Sequence, residues 1–74
     1  MFKSLDIREQ MEVVGSDDKH VGTVDHMEGA NRIKLAKDDP SAGGQHHFID
    51  INAVNFVDAK VHLNMAAKDA MAGW

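Results

Sequence analysis

The stretch at residues 12–27 limits the possible folds more than any other: Glu12-Val13-Val14-Gly15-Ser16-Asp17-Asp18-Lys19-His20-Val21-Gly22-Thr23-Val24-Asp25-His26-Met27. Val13, Val14, Val21, Thr23 and Val24 are β-branched and suit an extended chain on a pleated surface. Ser16, Asp17 and Asp18 can bond their own backbone and so favour a chain reversal between the two runs. The stretch therefore predicts a β-hairpin. Its polar centre is longer than a two-residue loop, which predicts a type I turn or a bulge at the tip.

The rest of the chain reads as more short strands on the same sheet. Residues 1–10 carry Phe2, Leu5 and Ile7 among polar neighbours and predict an arm or short strand covering one end of the fold. Glu28-Gly29-Ala30-Asn31 supplies residues that tolerate positive backbone angles. In Arg32-Ile33-Lys34-Leu35-Ala36 the period-two alternation points Ile33 and Leu35 inward. A loop composition follows at residues 38–44, with the one proline, Pro40. Extended structure resumes over residues 46–51, residues 52–57 bend or form one helical turn, and residues 61–63 make the last strand, with Val61 and Leu63 buried. Asn64 is placed to cap a helix over residues 65–72, in which Ala67, Met71 and Trp74 share a face.

At 74 residues the chain holds one domain, residues 1–74, able to bury only roughly 60% of its unfolded surface. Five or six short strands and one terminal helix predict an all-β fold, a small antiparallel barrel. So small a fold leaves little room for an enclosed reaction chamber. With no cysteine, thiolate chemistry and disulfides are excluded. No signal-peptide core or membrane-length apolar run is present, and the chain is placed in the cytoplasm. A formal charge of −4 with scattered Lys and Arg argues against nucleic acid. Five histidines could reverse the sign of that charge just below neutrality, so association and solubility are expected to depend on pH.

Val14-Gly15-Ser16-Asp17 followed by His20-Val21-Gly22-Thr23-Val24 resembles the opening of PRC-barrel domains. Three further segments resemble the bacterial family DUF2171, itself similar to PRC barrels: Asp39-Pro40-Ser41-Ala42-Gly43-Gly44-Gln45-His46-His47-Phe48-Ile49, Lys60-Val61-His62-Leu63-Asn64 and Ala70-Met71-Ala72-Gly73-Trp74. The likeness runs from about Ile7 to Trp74. Asp50 and Ala53 depart from it, standing where a proline and a tryptophan are common. The resemblance implies a PRC-barrel-like fold and a non-catalytic adaptor role; separately, no cofactor is expected.

Candidate chemistry is sparse. Adjacent histidines on a strand point to opposite faces, so His46 and His47 would not ligate one metal together unless a bulge intervened. A site using one of them with His26 or His62 and an acid is conceivable, yet the spacing of known zinc motifs is absent. Asp38 and Asp39 beside Gly43 and Gly44 lack the order of a phosphate or calcium loop and fit a structural turn. Asp17-Asp18 and Asp38-Asp39 fall in exposed turns, and no serine or threonine sits in a strand-to-helix elbow, so catalysis is not expected. Met65, Met71 and Trp74 can serve the core or a dimer contact. The function expected is a non-catalytic protein-binding or adaptor module, with a homodimer as one form. Its contact residues are Asp39, Gly43, Gly44, His46, His47 and Trp74. The alternative is a histidine-dependent metal-binding or pH-responsive protein using His46, His47, His26 and His62.

Overall fold

The computed structural model describes residues 7–72, and the expectations for residues 1–6 and for Trp74 lie outside them. Six strands form one sheet: β1 (Glu12–Val14), β2 (His20–Glu28), β3 (Arg32–Leu35), β4 (Phe48–Asp50), β5 (Val54–Val57) and β6 (Val61–Leu63), in the order β4-β3-β2-β1-β6-β5. A single helical turn, α1 (Ala67–Ala70), follows.

The expected hairpin is β1 with β2, antiparallel, Glu12 opposite Thr23 and Val14 opposite His20. At its tip the Asp18 amide donates to the Gly15 carbonyl at 3.0 Å, and Asp18 takes a left-handed φ of 63°. This is a tight turn followed by one left-handed residue, with a register shift between Val13 and Val14.

β2 is the corner of the molecule. Its first half pairs with β1 and its second half with β3, and a second register shift falls between Val24 and His26. A third lies between Val54 and Phe56 in β5. Each extra residue bends its strand and adds twist, so the sheet curls and its apolar faces meet. The core is aliphatic: Ile33, Leu35, Leu63, Val13, Val21, Val24 and Val61 are all but sealed from solvent. Ile33, Leu35, Val61 and Leu63 point inward as the alternation requires, and Ile7 of the N-terminal arm packs on the same cluster.

Three features differ from the expectation. The sheet is not wholly antiparallel, because β1 runs parallel to β6, with Val13 opposite Val61. Nor does a ladder join its two edge strands: β4 and β5 are connected through the 3₁₀ turn Ile51–Ala53 but lie at opposite ends of the strand order, so the curled sheet remains open. Third, Asn64 does not cap the helix. Its side-chain amide donates to the Asn52 carbonyl at 3.1 Å, and helix geometry begins only at Ala67.

The helix start is held instead by the hairpin tip. Ser16 N–H donates to the Met65 carbonyl at 2.8 Å, and Asp17 Oδ1 accepts from the Ala67 amide at 3.2 Å, a cap supplied from 50 residues away. Desolvation pushes the Asp17 pKa up, but the amides of Ala67 and Lys19 more than offset it, and the net direction is down. That contribution is present above the unfolded-chain pKa of Asp17 and is lost as acid titrates the carboxylate through its lower folded value. Asp17→Ala is therefore expected to lower the thermal midpoint by a few degrees at neutral pH and to leave it nearly unchanged in acid. Melting curves at the two pH values check this.

Candidate functional site

The loop between β3 and β4 holds most of the residues singled out by sequence. Pro40–Ala42 forms a 3₁₀ turn, Ala42 is buried, and Gly43 and Gly44 have φ of 65° and 81°. Gly43, Gly44 and Gln45 form an exposed tip. His46 and His47 precede β4 rather than lying within it. His46 Nδ1–H donates to the Leu35 carbonyl and His47 Nε2–H to the Ala42 carbonyl, each at 2.9 Å. Both imidazoles thus brace the loop backbone.

Asp39 is turned inward, with a side chain only 5% exposed. Its carboxylate takes the Thr23 hydroxyl at 2.6 Å and His20 Nε2 at 2.9 and 3.0 Å. On the other side of the ring, His20 Nδ1 faces Glu12 Oε2 at 2.9 Å, and Lys60 Nζ stands 3.4 Å from Glu12 Oε1. One imidazole therefore links β1, β2 and the loop. Partial burial pulls the His20 pKa down, but Glu12 and Asp39 outweigh it and the net direction is up. Glu12 moves the other way, lowered first by His20 and then, against its own desolvation, by Lys60.

His20 was not among the sequence candidates. The hairpin register, which places Val14 opposite His20 and Glu12 opposite Thr23, could have suggested its partnership with Glu12. The link to Asp39, 19 residues away, follows only from the curl of the sheet.

The remaining candidates are spread out. His26 lies between Glu28 (Nε2, 3.1 Å) and Asp25 (Nδ1, 3.5 Å), and Asp25 also reaches His46 Nδ1 at 3.7 Å. His62 sits between Asp58 (2.9 Å) and Asp18 (3.8 Å) and stacks on Phe56, ring centroids 4.1 Å apart. Asp25 thus gathers His26 and His46, while His47 and His62 belong to other parts of the fold. Among the described residues no group of three or more His, Asp or Glu side chains converges as a metal site. Beside the loop, Asp25, Ala36, Lys37, Asp38 and His46 line an open depression of about 340 Å³.

A family model described as an uncharacterised protein conserved in bacteria, DUF2171, matches residues 7–71. The chain belongs to DUF2171. No curated protein matches it. In this DUF2171 chain the matched span runs from Ile7 in the arm to Met71 after α1, and so includes every residue of the His20 network and the whole β3–β4 loop. Among the described residues no helix is long and apolar enough to cross a membrane.

Proposed function

We propose that this DUF2171 chain is a cytoplasmic, non-catalytic module that binds another protein through the loop at residues 39–47. One observation carries the reading. The side chains of Asp39, His46 and His47 each hold the loop's shape, and the tip Gly43-Gly44-Gln45 is exposed beside His46. An exposed loop braced by its own side chains suits recognition, because bracing lowers the ordering entropy lost on contact. The curled sheet, with its edges joined by the Ile51–Ala53 turn, supports a PRC-barrel-like architecture, and a homodimer belongs to the same proposal.

Gln45→Arg keeps the backbone bond from the Gln45 amide to the Ala42 carbonyl and changes only the presented surface. Immobilised wild-type chain is expected to retain a specific protein from bacterial lysate, with retention about tenfold weaker for Gln45→Arg, the ratio that goes with about 1.4 kcal/mol of lost binding. Asn55→Arg, on the exposed side of β5, serves as the matched charge control. Equal retention by all three proteins would sink the proposal.

A second reading, a pH-responsive protein, is favoured by a different observation. His20 has a carboxylate oxygen 2.9 Å from each ring nitrogen, an arrangement that suits the doubly protonated imidazolium.

A further inference from the structure

We infer that protonated His20 is a clamp holding the loop that carries Asp39 against the β1–β2 hairpin, and that loss of its proton loosens this loop. The inference deepens the pH-responsive reading and rests on it, naming the part that moves.

The argument begins with donor counting. An imidazolium has two N–H donors and a neutral imidazole has one. Here both ring nitrogens face carboxylate oxygens, Nδ1 to Glu12 at 2.9 Å and Nε2 to Asp39 at 2.9 and 3.0 Å. No single neutral tautomer satisfies both sides, because one lone pair would point at an anionic oxygen. The charged groups meeting the ring are Glu12 from β1 and Asp39 from the loop after β3, with Lys60, from the turn before β6, behind Glu12.

The two carboxylates are not equivalent. Glu12 is 39% exposed and has Lys60 as a second partner, so it can turn to water. Asp39, only 5% exposed, cannot be resolvated where it stands. When His20 is neutral, Asp39 loses the countercharge that the ring supplied, and the one remaining N–H is shared between Asp39 and Glu12. A carboxylate in that position gains by moving outward to solvent. Asp39 takes with it the start of the loop, since its own carbonyl accepts the Ala42 amide at 2.9 Å and Ala42 lies in the buried interior.

The sign follows from the direction of the His20 shift. A histidine whose folded pKa is raised contributes stability fully present below its unfolded pKa and lost as pH rises through the folded value. The clamp is thus closed below the ordinary histidine range and opens as pH rises through the raised folded value of His20. Below the lowered pKa of Glu12 its carboxylate protonates and the Nδ1 side is lost from the other direction.

The experiment is a pH series from about pH 6 to about pH 9 on the intact chain, a range that spans ordinary histidine titration. Imidazole shifts are followed by NMR, and exchange protection of the Ala42 and Gln45 amides, corrected for intrinsic rates, reports the loop. As His20 loses its proton, protection at these amides is expected to fall at least about tenfold, as on losing one charge-assisted hydrogen bond. In His20→Gln it is expected to be low and independent of pH. His62→Gln is expected to leave the loop response intact. Loop protection that ignores the His20 titration, or a response that persists in His20→Gln, overturns the clamp while leaving a general pH response standing if thermal stability still varies with pH. Stability and histidine environments that stay flat across the series overturn both.

Discussion

Leu35→Ala is expected to cost about 2–5 kcal/mol of folding stability, the range for truncating a sealed leucine. Leu35 is 1% exposed and pairs with Val24 across the corner where β2 passes from one half of the sheet to the other. Its side chain lies over bare backbone, since a methyl added to Gly22 would stand 3.0 Å from Leu35 Cδ1. The two positions are therefore coupled. Gly22→Ala alone must displace the leucine tip, whereas in the Leu35→Ala background the same methyl enters vacated space, and its cost falls or changes sign. For a domain whose total stability is on the order of 0.05–0.15 kcal/mol per residue, the single truncation removes a large share. Urea midpoints for the two single variants and the double variant measure both effects, and additivity within about 0.5 kcal/mol would refute the coupling.

Gly15→Ala is expected to be nearly as severe, for the opposite reason. A methyl there would overlap the Ala67 backbone nitrogen and come within 2.9 Å of the Ala66 carbonyl carbon, both main-chain atoms that no rotamer change can move. The hairpin tip and the start of α1 must then part, which breaks the Ser16 to Met65 bond and the Asp17 cap together. Overpacking of this kind costs about 1–3 kcal/mol, and more where backbone must shift. The expected signature is specific: lower stability together with faster exchange at the Ser16 and Ala67 amides. Wild-type protection at both positions would refute the close approach of Gly15 to the Ala66–Ala67 backbone.

The strands were legible because their signal is local. β-branched pairs, period-two alternation at Ile33 and Leu35, and turn formers at residues 15–18 and 28–31 each act within a few residues, and Gly29 does take a positive φ of 66°. What could not be read were contacts made by the curl. The parallel pairing of β1 with β6 has no local signature, and neither does a helix cap donated by Asp17 across 50 residues. Local sequence alone makes Asn64 a cap, whereas its side-chain amide donates to the Asn52 carbonyl.

The histidines follow the same division. His46 and His47 drew notice by being adjacent, yet each braces a carbonyl, Leu35 or Ala42. His20 lies in the middle of the hairpin with no conspicuous neighbour in sequence, and it becomes a junction only because Asp39 folds back onto it. Exposed aromatics make a similar point. Phe48 and Phe56 sit on the two edge strands, 41% and 45% exposed, one under the Arg32 guanidinium and the other on the His62 ring, while aliphatic residues fill the interior.

Because the first strand lies beside the sixth, with Val13 facing Val61, this sheet cannot be completed until late in synthesis. A nascent chain can form the β1–β2 hairpin early, but that hairpin keeps one ladder vacant until Leu63 has left the ribosome. Closure of so long a loop is slow for the size of the domain.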